Sequence, residues 1–263
     1  MENPEPDALL QTREDNIVTI TLNRPHKLNA MTKSMWGDLG TKFQALNADD
    51  TVRCIVMRGA GDRAFSPGND ISEFENDRSN SAQAEAYGEL MHGTVDVIRK
   101  CPHPRVAMIK GICVGGGLEI AGLCDIRICG TSSRFGVPIS KLGLVMAYAE
   151  ISALSDLVGP SIAYEILIEG RVFDAQEAFQ KGLVSRIVAD DQVETEALET
   201  ANRIAEGAPL VHRWHRKFLE RLKNPTPISV EENREGFSCY DTDDFAEGYK
   251  AFLDKRKPEF KGK

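Results

Sequence analysis

The sequence predicts an α/β protein: a core of repeated β-β-α units with a C-terminal helical appendage. Three observations carry this expectation. Short apolar strands recur from residue 9 to about residue 140, each followed by a glycine-punctuated loop or an amphipathic helix. After Gly143 the strand patterns nearly vanish and helical periodicity takes over. No flexible linker separates the two parts, so residues 1–195 are expected to form the core and residues 196–263 a helical region that covers it or meets a subunit neighbour.

Each element follows from its local pattern. Residues 17–22 alternate with period two, as a half-buried strand does, and Leu9 and Leu10 belong to a strand pairing with it across Glu14, Asp15 and Asn16. Thr32 can cap a helix whose apolar face is Met35, Leu39, Phe43 and Leu46. Residues 54–57 form a buried strand leading into a glycine-rich loop, 59–71, a common place for ligand contacts. A polar segment from Glu73 to Gln83 is expected to be mobile, and Tyr87, Met91, Val95 and Ile98 mark the next helix. Buried strands are expected at 106–109 and 125–129. Helices follow at 149–157, 161–168 and 174–181, the last capped by Asp174 with Glu177, and a lone strand spans 184–188. Ser229 with Glu232 makes a second capping box, and the final helices carry Phe237, Phe245, Tyr249, Phe252 and Phe260.

The stretch from Lys110 to Asp125 holds the chemistry. Gly115, Gly116 and Gly117 end an apolar run and open a short buried helix with Glu119 in its first turn. Glycines let backbone approach a ligand closely, and free N–H groups at a helix start favour negative charge. A glutamate between Leu118 and Ile120 resists ionising, which suits a group that passes a proton both ways. Two other readings compete. A phosphate cradle is weak, because a dinucleotide fingerprint from Gly115 needs Gly or Ala where Ile120 stands. Simple complementing of the helix dipole by Glu119 stays open on this stretch alone.

Composition narrows the partners. With 40 acidic against 32 basic side chains the net charge is −8, which argues against nucleic acid or an anionic membrane. No uncharged apolar run approaches the roughly 20 residues of a membrane span. Residues 1–7 lack the regions of a signal peptide and the terminal Lys-Gly-Lys is no peroxisomal address, so a cytoplasmic protein is expected. Six cysteines form no C-x-x-C pair and read as buried, reduced thiols. His212 and His215, beside Arg213, Arg216 and Lys217, read as a solvated basic face, and no metal site is expected.

Taken together, several stretches resemble the crotonase superfamily, the enoyl-CoA hydratase/isomerase family. They are Asn23-Arg24-Pro25 with Leu28-Asn29-Ala30, residues 64–71, Gly115 to Glu119 with Cys124-Asp125, Phe135-Gly136-Val137-Pro138, Leu142-Gly143-Leu144, Gly182-Leu183-Val184 and Glu247 to Phe252. The resemblance runs nearly end to end. It implies an acyl-CoA thioester substrate, with CoA arriving as part of the substrate and no other cofactor. It also implies an oxyanion hole from the backbone N–H groups of Asn69 and Gly116, with Glu119 as an acid/base. The loops carrying Lys27, Leu28, Ala30, Arg63, Ala64, Ser66, Gly68, Asp70, Ile71 and Gly115 match the family's substrate and CoA-binding region. A homotrimer or homohexamer is the implied assembly.

The sequence departs from the family at one point of consequence. The hydratases' second glutamate falls where Ile139 stands, and isoleucine can neither take nor give a proton. Residues 145–150 replace a segment that is normally glycine-rich, which implies an altered acyl pocket involving Ile139, Tyr148 and Glu150. Tyr148 and Glu150 are conceivable substitutes, but a packed tyrosine and a surface helical glutamate are the favoured readings. A hydratase is therefore the nominal expectation. An isomerase or decarboxylase on the same scaffold is the alternative, as is an acyl-CoA-binding protein with weak catalysis.

Overall fold

In the computed structural model, which describes residues 7–263, the chain winds as a spiral, laying one strand in each of two sheets before returning through helix. A hairpin of β1 (Leu9–Glu14) and β2 (Ile17–Leu22) starts the first sheet, and α1 (Lys33–Asn47) follows, capped by Thr32 as expected. The first full turn is β3 (Cys54–Gly59), β4 (Ala64–Ser66), α2 (Phe74–Asp77) and α3 (Ser81–Arg99). The second is β5 (Arg105–Ile109), β6 (Ile112–Val114) and α4 (Gly116–Gly122). The third is β7 (Ile126–Gly130), β8 (Arg134–Gly136), α5 (Tyr148–Val158) and α6 (Pro160–Glu169). Next come β9 (Val172–Asp174), α7 (Ala175–Gln180), β10 (Arg186–Val188) and α8 (Val193–Ala205). The chain ends with α9 (Pro209–Leu222), α10 (Val230–Glu235) and α11 (Asp243–Leu253).

The first sheet runs β1-β2-β3-β5-β7-β10 and the second β4-β6-β8-β9. Apart from the hairpin and the β8/β9 pair, neighbours are parallel, so the helices must carry the chain back each time. Strands β3 and β5 are buried nearly throughout because they sit inside the sheet, which is why they read as continuous apolar runs. Trp36, Phe43, Phe65, Tyr87 and Phe135 are fully buried in the main core, each contributing roughly 1.5–3 kcal/mol by leaving water.

Four expectations need correction. The segment from Glu73 to Gln83, expected to be mobile, is largely helical: it holds α2 and the start of α3, tied to α1 by a Lys33–Asp77 ion pair and by the Lys33 N–H donating to Glu73. The strand near residue 186 is not the lone one of its region, since β9 precedes it; β10 itself pairs with β7 as the sixth strand of the first sheet. The basic face of α9 is solvated only in part: His215 and Lys217 are exposed, but the two arginines are covered. Arg213 reaches Asp50, and Arg216 reaches Asp125 and the Cys101 carbonyl, so both guanidiniums lie against the core. The division at 195/196 falls inside α8, whose Ala197 and Ala201 are buried in a second apolar cluster with Val56 and Val106 of the first sheet. Five cysteines are buried and Cys239 is partly exposed, all unpaired. Residues 1–6, on which the absence of a signal peptide was argued, lie outside the described residues.

Candidate active site

Strands β4 and β6 are parallel neighbours, so the turns leaving them run side by side. At that crossing the two backbones almost touch. Gly68 has φ +98°, and a Cβ there would stand 2.7 Å from the Gly116 nitrogen. A Cβ on Gly117 would stand 2.1 Å from the Ser66 carbonyl oxygen. Only glycine permits this approach. It brings the Asn69 and Gly116 N–H groups together, and neither donates to a protein acceptor among the described residues. Gly116 opens α4, so its N–H belongs to the first turn, where no intrahelical acceptor exists.

The surroundings hold this shelf rigidly. The Met31 N–H donates to the Gly68 carbonyl and the Asp70 N–H to the Met31 carbonyl, both at 2.8 Å. The Asn69 side chain turns back into the core, where its Oδ1 accepts from Trp36 Nε1 at 2.7 Å. Ser66 Oγ accepts from the Gly68 N–H and donates to the Asn29 carbonyl. Asn29 in turn clasps the Ala60 and Ala64 carbonyls through its amide. Beneath lies a nearly buried ion pair, Arg24 to Asp70 at 2.8 Å, with the same Arg24 nitrogen donating to the Ala30 carbonyl. Burial alone would raise the Asp70 pKa, but hydrogen bonds from Ser72 and Arg24 outweigh it and hold the carboxyl below its usual range.

Glu119 sits in the first turn of α4. One of its oxygens, Oε1, is shut off from solvent with no hydrogen-bond partner, although the residue as a whole keeps some exposure. Burial pushes its carboxyl up to about 8, the charge of Glu150 adds to the rise, and Arg99 opposes it. At neutral pH this group therefore mostly keeps its proton.

A cavity of about 170 Å³ joins these parts. Asn69, Gly115, Gly116 and Glu119 form one wall; Val137, Ile139, Met146 and Glu150 contribute to the other. Ile71 also lines it. Ala30, Ala64, Ser66, Gly68 and Asp70 are buried and build the shelf from behind. Lys27, Leu28 and Arg63 do not line the cavity, and Lys27 and Arg63 are exposed. Leu28 lies in the left-handed turn that delivers Asn29.

The second wall corrects two readings. Tyr148 is 95% exposed and absent from the cavity, so it is neither packed nor part of an acyl pocket. Glu150 is no surface residue: its side chain is 11% exposed and faces the same cavity as Glu119. A signal for this was present, since Glu150 precedes Leu154 and Leu157 by four and seven residues and so shares their helix face. Phe74 and Arg78 also line the cavity, with the Arg78 guanidinium stacked 4.8 Å from the Phe74 ring and 4.7 Å from the Tyr87 ring. Neither was foreseeable from local pattern, because their segment is polar. Among the described residues no group of three or more His, Cys, Asp or Glu side chains is placed to hold a metal ion.

Comparison with known proteins decides the family. The sequence profile of the enoyl-CoA hydratase/isomerase family matches residues 12–263. The chain belongs to that family. Among its curated relatives, a crotonyl-CoA hydratase of Syntrophomonas wolfei is 30% identical over 257 residues, covering 97% of this chain and 98% of the relative. A protein of Rhizobium meliloti named probable enoyl-CoA hydratase is 33% identical over 258 residues, covering 97% and 98%. A crystal structure from Magnetospirillum magneticum, described as an enoyl-CoA hydratase/carnithine racemase, superposes with a TM-score of 0.96. It shares 48% identity and covers 98% of this chain and 97% of its own. As a member of the enoyl-CoA hydratase/isomerase family, the protein is an enzyme whose substrate class is acyl-CoA thioesters.

Proposed function

We propose that the protein hydrates 2-enoyl-CoA thioesters through an enolate held on the backbone shelf, with Glu119 as the acid that protonates the α-carbon. The observation that carries this reading is the junction of two N–H groups without an acceptor among the described residues, those of Asn69 and Gly116, beside the buried Glu119 carboxyl, whose pKa burial pushes up to about 8. A thioester oxygen seated between those donors gains negative charge as the enolate forms, and losing one such donor typically costs ~10²–10³ in rate. Rigid donors serve better than mobile ones because they need no reorganisation when the charge appears. The names of the relatives from Syntrophomonas wolfei and Rhizobium meliloti support hydration as the outcome. CoA enters as part of the substrate, and the chemistry calls for no redox cofactor or metal.

One observation favours a second reading. Ile139 lines the cavity at the position that the resemblance gives to a second glutamate, and moving a double bond needs only one carboxyl to carry one proton between two carbons. Incubating crotonyl-CoA with the protein in ¹⁸O-water and weighing the product separates the two. Hydration gives a labelled 3-hydroxy product that disappears with Glu119→Gln while thioester affinity persists. Unlabelled recovered substrate would contradict it and leave the isomerase.

We further propose assembly as a homotrimer or homohexamer, supported by apolar side chains left exposed toward the C-terminus, among them Leu222, Phe237, Phe252 and Leu253. Light scattering at the mass of three or six chains is the expected result; a monomer contradicts it. No helix among the described residues is long and apolar enough to cross a membrane.

A further inference from the structure

Glu150 is an acid on the second cavity wall that the shelf does not use. Its Oε2 accepts from the Ala147 N–H at 2.5 Å, which caps the start of α5. That bond alone would make it an ordinary first-turn glutamate. A capping glutamate on a surface helix, however, leaves its other oxygen in water. Here the side chain is 11% exposed, and Oε1 lies 3.6 Å from Nε2 of His92 on α3. The same side chain borders the candidate active-site cavity and a narrow cleft beside it, and Glu119 borders both. The charged groups around the pair are few. Glu119 comes from α4, His92 and Arg99 from α3, and Arg78 from the turn before α3.

We propose that Glu150 is the second acid/base group of this site and activates water, a role that Ile139 cannot fill. The proposal rests on the enolate reading above and makes hydration possible without the family's usual second carboxylate. In the forward step the Glu150 carboxylate takes one proton from water. The water oxygen bonds to C3, and the C2–C3 π pair shifts through C1 to give the thioester enolate on the shelf. Glu119 then delivers its proton to C2 as the carbonyl reforms. The proton left on Glu150 returns through solvent to Glu119, so the net change is addition of one water. Anchored by the Ala147 N–H, with His92 Nε2 3.6 Å from its other oxygen, Glu150 borders the cavity.

The test compares two reactions in the same variants. Exchange of the α-protons of butyryl-CoA in heavy water needs the shelf and Glu119 but no water activation; hydration of crotonyl-CoA needs all three. Glu150→Gln keeps an oxygen for the Ala147 N–H, so the α5 cap survives. It is expected to lower hydration kcat at least ~100-fold. KM should change little and α-proton exchange should remain within a few-fold of wild type. Removing the neighbouring charge should also move the Glu119 limb of the exchange profile to lower pH. Hydration that survives in Glu150→Gln overturns the proposal, and so does parallel loss of both reactions, which marks a structural role. Wild-type exchange without wild-type hydration overturns it as well. Absence of exchange in the wild type defeats the underlying enolate reading, and this proposal with it.

Discussion

The two walls of the cavity are built on different principles. One is made of backbone: residues 66–70 and 115–119 lie so close that glycine is required at 68 and 117, and Ser66 Oγ and the Asn29 amide brace it from behind. The other is made of side chains from the stretch after β8, where Ile139, Met146 and Glu150 decide what the cavity can do. A backbone wall fixes which charge is stabilised, because N–H groups offer the same donor whatever the side chain. A side-chain wall can be rewritten one residue at a time. In this protein the first wall carries the Asn69 and Gly116 N–H groups, and the second sets Ile139 and Glu150 against the same cavity.

The largest expected effect comes from breaking the backbone wall. Gly68→Ala forces a Cβ against the Gly116 nitrogen at a φ that side chains avoid, so hydration kcat should fall ~10²–10³-fold. A rate within tenfold of wild type would show that the N–H pair does not carry the stabilisation. Next is the footing of that wall. Arg24→Ala leaves Asp70 buried without its cation and should cost about 3–5 kcal/mol in denaturant unfolding. A cost below about 1 kcal/mol would mean that the pair is solvated in solution.

A smaller and graded effect belongs to pH. Glu119 must carry its proton to protonate C2, so hydration kcat/KM should decline as pH rises through about 8. The α-proton exchange needs the carboxylate and should rise over the same interval. Stability follows the same sign. The raised pKa favours the folded state fully below the ordinary value of 4.5, and that advantage is lost as pH climbs through about 8. Glu119→Gln should remove this part of the pH dependence; an unchanged stability profile would contradict the burial argument. The smallest effect is a control on the second wall. Tyr148→Ala should leave both rates within about twofold of wild type, because that side chain stands in solvent. A larger loss would place Tyr148 at the substrate after all.

What the sequence disclosed divides along the same line. The backbone wall was readable because its requirements are local: three consecutive glycines after an apolar run, a glutamate one turn in, and Gly68 just past a buried strand. The spiral of strands was readable because β3 and β5 are buried on both faces and so are apolar throughout. The second wall was harder, since α2, α3, α4 and α5 meet there from distant parts of the chain. Arg78 carries no local mark of its place, as its contact with Tyr87 exists only once α3 packs. Glu150 was misread as surface because glutamate is usually exposed, although its spacing to Leu154 placed it on the buried face. Tyr148 was misread in the opposite sense, from an aromatic's usual burial.

The account stands on the enolate, and the most direct measurement is proton exchange at the α-carbon of butyryl-CoA in heavy water, followed by mass spectrometry with wild type and Glu119→Gln. The wild type should incorporate deuterium, faster above pH 8 than below, and Glu119→Gln should not. Exchange that persists in Glu119→Gln, or no exchange in either protein, would contradict the assignment of Glu119 and the backbone shelf as the catalytic centre.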